Sequence, residues 1–267
     1  MLVHEDRARD RGQSLDKNFG TFFAGFMVFS FVGAVLAMIL WPPQAASEIP
    51  NRHEPYTAEL AGYDALVENF ERLVFDDGTM GRSLAWDHSP NASLYGKGSE
   101  DLRPWVQEQF EIVNQATGMT VTLKESVVGP EDIYIQLITR AAYTADGDWL
   151  CYNQTAFKGV GQRIRKDYII IPDDHPSDIA RGCVVHELMH ALGFKEHPTV
   201  GFDSVLSTDR HIGEFTVNDL ILLRTLYDPA INPSMTRDQI MAIVPEIIRK
   251  AQFEIANSVT FADGPWK

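Results

Sequence analysis

Residues 183–194 read CVVHELMHALGF, and the spacing inside this stretch organises the rest of the chain. On a helix, His186 and His190 stand four positions apart, so both imidazoles lie on one face and can reach a single metal ion. Glu187 follows the first histidine. Its carboxylate then sits beside the metal's open position, where it can take a proton from water and hand it to a leaving amine. Val184, Val185, Leu188 and Leu192 mark the core side of the helix. Gly193 falls where the helix should stop, because glycine adopts the left-handed C′ conformation without steric cost. Two histidines do not close a zinc site, so a third ligand must return toward the helix after that turn. Glu196 and His197 both qualify by residue type, and Asp203, Asp209 and His211 lie further along. His197 is favoured, since a neutral imidazole matches the other two. Cys183 is set off the histidine face by about 60° and is discounted.

Working outward, Ser99-Glu-Asp-Leu opens a helical pattern through Trp105, Phe110 and Val113, with Gly118 as its stop. Two glycines, Gly78 and Gly81, suggest a turn between strands at 72–76 and 82–86. Strand-like runs follow at 119–124, 133–139 and 167–171, the last leading through Pro172 into a helix from about Ser177. Thr216-Val-Asn-Asp resembles a capping box for a short helix, and a final helix is expected from Thr236 to about Gln252. This order predicts an α+β domain with a small mixed sheet.

HELMHALGF resembles the active-site helix of metzincin zinc metallopeptidases, the astacin-like group in particular. Their pattern HExxHxxGxxH ends on the third zinc-ligating histidine. Here Glu196 occupies that position and the histidine comes one residue later, at His197. Downstream, Asp203-Ser-Val-Leu-Ser207 resembles the metzincin turn beneath the zinc, with Leu206 where those enzymes carry methionine. FTVNDLILLRTLYDP, which begins at Phe215, is similar to their C-terminal helix. The same region also resembles an uncharacterised bacterial family of exported domains that carry a degenerate version of the motif. The resemblance implies a zincin-like α+β domain with a small mixed sheet and an HExxH active-site helix. It implies zinc as cofactor on His186, His190 and His197, with Glu187 as general base on water at the zinc. The substrate would be a peptide or protein laid in extended form along a sheet edge. No tyrosine stands near the Leu206 turn for the oxyanion, and His211 is the residue nearest in sequence that could serve. The alternative is a non-catalytic exported binding or scaffold domain that keeps the fold.

The first fifth of the chain reads differently. Residues 18–47 contain no Asp, Glu, Lys or Arg, and 19–41 are apolar on every helical face. At about 1.5 Å per residue this stretch is long enough to cross a hydrocarbon core of about 30 Å. It is also longer than the apolar region of a cleaved signal peptide. Arg7, Arg9, Arg11 and Lys17 precede it, whereas Arg52 alone closely follows, so the N-terminus is expected in the cytoplasm and the remainder outside. The expected organisation is a cytoplasmic tail (1–18), a bilayer-spanning signal anchor (19–41), a linker (42–56) and an exported domain (57–267).

Of 23 basic and 37 acidic side chains, four of each lie in residues 1–47, so the whole formal charge of −14 falls on the exported part. Such an acidic domain lacks the basic face that nucleic-acid binding needs. The two cysteines, Cys151 and Cys183, exclude a cysteine-rich zinc module. Outside the cytoplasm two states are open to them: a disulfide, which would close a loop of about 33 residues and add about 2–4 kcal/mol, or two buried thiols.

Overall fold

The computed structural model describes residues 59–75, 85–125, 131–142, 151–158, 163–232 and 234–257. The chain divides into residues 1–54 and 55–267, and every described residue belongs to the second unit. The expected span at 19–41 lies outside the described residues, as do the tail and linker. No helix among the described residues is long and apolar enough to cross a membrane.

The domain is α+β, with five α-helices and one mixed five-stranded sheet among the described residues. In chain order these are α1 (Tyr63–Val74), β1 (Asn91–Tyr95), α2 (Ser99–Thr117), β2 (Thr122–Lys124), β3 (Ile133–Ile138), β4 (Tyr152–Lys158), β5 (Arg163–Pro172), α3 (Ser177–Ala191), α4 (Val217–Leu226) and α5 (Arg237–Asn257). The sheet order is β2-β1-β3-β5-β4. The first four strands run parallel, and β4 lies antiparallel to β5 at the edge.

Alternation in β3 explains which face is covered. Ile133, Ile135 and Leu137 are buried, while Tyr134, Gln136 and Ile138 are only partly so. The register pairs Ala92 and Leu94 of β1 with Ile133 and Ile135, and pairs Ile135 and Leu137 with Ile169 and Ile171 of β5. A single apolar layer results, with α2 against β1 and β2, and α3 against β5 and β4. The same register sets Asp167 opposite Ile133 in this buried layer. An acid there is costly unless it has partners, and it matters for the site.

Most of the expected elements are present. Gly118 caps α2 in the left-handed conformation at φ 73°. Thr216 and Asp219 form a capping box at the start of α4. The expected strand at 72–76 is a correction: Arg72, Leu73 and Val74 belong to α1. Leu66, Phe70, Leu73 and Val74 are fully buried at helical spacing, and that apolar stripe outweighs the β-prone Val74-Phe75 pair at its end. Ala85 and Trp86 are not in a strand either, and residues 76–84 lie outside the described set.

Cys151 and Cys183 form a disulfide across a sequence separation of 32, joining the residue before β4 to the middle of α3. Loop-closure entropy puts its contribution at about 3–4 kcal/mol. Replacing both cysteines by alanine should therefore lower the thermal midpoint by about 6–16 °C. A midpoint unchanged in calorimetry would show that the bond contributes no net stability.

Candidate metal centre

The centre is built by α3 and the chain that leaves it. His186 and His190 project from one face of α3 with ring centroids 5.0 Å apart. Gly193 then takes φ 109° and its N–H bonds to His190 O at 3.0 Å, which ends the helix and reverses the chain. The reversal brings the His197 ring to 5.2 Å from each of the other two. Candidate ligand atoms of His186, His190 and His197 all lie within 4.8 Å of one another.

Second partners fix how the rings face. The Nδ1 of His186 lies 2.9 Å from the Val205 carbonyl, and that of His190 lies 2.6 Å from the Phe194 carbonyl. A carbonyl only accepts, so each Nδ1 carries the proton and each Nε2 presents a lone pair to the centre. Burial pulls His186 down to about 4 and His190 down to about 3. His197 is lowered too, first by burial, with Glu196 opposing and Arg72 adding to the shift. Neutral imidazole is the form that binds metal.

One of the three spacings suits zinc. Two nitrogens bound tetrahedrally at 2.0–2.1 Å lie about 3.3–3.4 Å apart. His197 Nε2 and His186 Nε2 are 3.3 Å apart. These three residues could therefore hold a metal ion.

The other sequence candidates do not join them. Glu196 lies outside the cluster. Asp203 accepts from the backbone N–H of Glu59 at 3.2 Å and pairs with Arg210 at 2.5 Å. Asp209 lies 3.8 Å from Arg210. His211 is exposed and bonds through Nε2 to Asp178 O at 3.1 Å. Its ring rests on Gly182, where an added Cβ would come within 1.9 Å. Cys183 is committed to the disulfide. Leu206 is fully buried, as expected for an apolar floor.

Glu187 is 5 % exposed. Burial, and then the Asp167 charge, push its carboxyl up to about 8, and a cation held by the three histidines would draw it back toward the ionised form that a base needs. Asn153 of β4 donates through Nδ2 to Asp167, and the same nitrogen lies 3.3 Å from the Glu187 carbonyl. Neither Asp167 nor Asn153 was assigned to the site from sequence. Asp167 had one legible signal, an acid opening an apolar run, but its proximity to Glu187 depends on the strand register.

Beneath the cluster, residues 203–207 are held from α4. Asp219 accepts from Ser204 Oγ at 2.5 Å, from the Val205 N–H at 3.0 Å, and from the Thr216 N–H and Oγ1 at 2.8 Å each. Burial pushes this carboxyl up to about 6 against those donors. Asp219 thus caps α4 and also fixes the Val205 peptide, whose carbonyl orients His186.

Fold and site together define an α+β domain with a three-histidine cluster on a helix and its following loop, next to a buried glutamate. The chain belongs to the family described as protein of unknown function (DUF2927), which matches residues 99–246 and so includes all three histidines. No curated protein matches the chain.

Proposed function

We propose that this chain is a zinc-dependent metallopeptidase of metzincin-like fold, anchored in a membrane through residues 19–41 and acting outside the cytoplasm. The observation that carries the proposal is the convergence of three neutral imidazoles, the first of them on the residue before the buried Glu187. His186, His190 and His197 would hold the zinc, which would supply Lewis acidity toward a carbonyl and toward water. Glu187 takes a proton from the attacking water and delivers it to the amide nitrogen as the C–N bond breaks. Edge strand β4, alongside α3, offers backbone groups to an extended peptide. The Cys151–Cys183 disulfide supports an oxidising, extracytoplasmic location.

The test is cleavage of a denatured protein by the full chain in detergent, loaded with one equivalent of zinc. Cleavage should stop with a chelator and return when zinc is restored. A fully loaded chain that cleaves neither proteins nor peptides would sink the peptidase reading.

A non-catalytic exported binding or scaffold domain is the second reading, favoured by one observation. Glu187 is buried beside a second buried acid, Asp167, rather than open to solvent. That domain would keep the fold, with or without zinc, and turn over nothing.

A further inference from the structure

We propose that α1 is a clamp that makes His197 the third metal ligand, with Asn69 and Arg72 as its positioning residues. This rests on the metal-binding reading above. The loop from 195 to 199 would otherwise be free to offer Glu196 or His197, because the turn at Gly193 fixes only where the helix ends.

The last carbonyls of a helix lack intrahelical partners. Leu73, near the end of α1, uses its carbonyl to accept from the Lys195 N–H at 2.7 Å and the Glu196 N–H at 3.4 Å. One residue on, the Arg72 Nε donates to the His197 carbonyl at 2.7 Å. Beyond the histidine, Asn69 Oδ1 accepts from the Thr199 N–H at 2.8 Å and the Thr199 hydroxyl at 3.2 Å. Asn69 is 1 % exposed, and its Nδ2 donates to Ala65 O at 2.8 Å, which fixes the orientation of the amide. Asn69 and Arg72 are three positions apart and share a helical face.

The backbone around His197 is therefore held before, at and after the histidine, leaving its ring little freedom beyond rotation about its own side-chain bonds. The clamp is itself anchored. Leu66, Phe70 and Leu73 are fully buried, α1 packs on α4 and α5, and Glu71 pairs with Arg237 of α5 at 2.6 Å. Its residues precede the stretch matched by the family, 99–246. A segment outside that match thus sets the geometry of the centre.

The test compares zinc affinity, by competition titration, in the full chain and in Arg72→Ala, Asn69→Ala and Arg72→Lys variants. The first two should bind zinc about 10–100-fold more weakly, the range seen when partners that orient ligands are removed. Arg72→Lys keeps a donor and should recover most of the loss. The visible absorption of the cobalt-loaded chain is the second readout. In Arg72→Ala it should move toward the spectrum of His197→Ala, whereas a general loss of stability would not change the coordination of the bound ion. Wild-type affinity and spectrum in both alanine variants would overturn the clamp and leave the peptidase reading standing. A wild-type chain that takes up no metal would overturn both.

Discussion

A Glu187→Gln chain is expected to keep its zinc and lose peptide-bond hydrolysis by about 10²–10⁴-fold, the span that a positioned general base contributes. Glutamine fills the same volume between α3 and the sheet but cannot accept the water's proton. The loss should fall on kcat, because the residue acts on the reacting atoms rather than on substrate binding. Zinc stoichiometry should remain at one, since the imidazoles are oriented by the Val205 and Phe194 carbonyls and not by Glu187. The combination of readouts separates the two functional readings. Turnover lost with metal retained supports the peptidase. Turnover equal to wild type in Glu187→Gln would eliminate Glu187 as the base, and a wild-type chain already inert when loaded points to the binding domain.

What was legible in the sequence follows a physical divide. The helix bearing His186 and His190 was readable because its determinants are local: helical spacing of apolar residues, and a glycine whose φ of 109° reverses the chain at once. The capping box at Thr216 and the Gly118 stop are local in the same way. Helix α1 was misread because its apolar stripe ends in a β-prone pair before a glycine-rich segment. β1 and β4 were missed for a different reason. β1 is five residues, NASLY, and β4 is a mostly polar edge strand, YNQTAFK, so neither carries a long apolar run.

Residue type alone favoured His197 over Glu196, and the cluster contains His197, but the geometry behind that choice was not legible. The hydrogen bonds that decide it cross more than 120 residues, from Asn69, Arg72 and Leu73 to the loop. Asp167 and Asn153 belong to the same class. Their contact with the Glu187 segment arises from strand register, which no single stretch of sequence contains. The centre is assembled from one local motif and several distant supports, and only the motif can be read along the chain.

His197→Ala should weaken zinc binding by about 10²-fold, whereas Glu196→Ala should leave it unchanged. Four-ligand structural zinc sites bind with about 10–16 kcal/mol, or about 3 kcal/mol per ligand. Equal affinity in His197→Ala and a loss in Glu196→Ala would reverse the assignment and return the chain to the register of the astacin-like motif. The double variant Arg72→Ala/His197→Ala gives the sharper result. If Arg72 acts on the metal only by holding His197, its removal should cost nothing further once the histidine is gone. Losses that simply added would mean that Arg72 reaches the centre by another route, through the packing of α1 or through its charge. Zinc competition on the four chains of that cycle measures the coupling directly, without reference to any substrate.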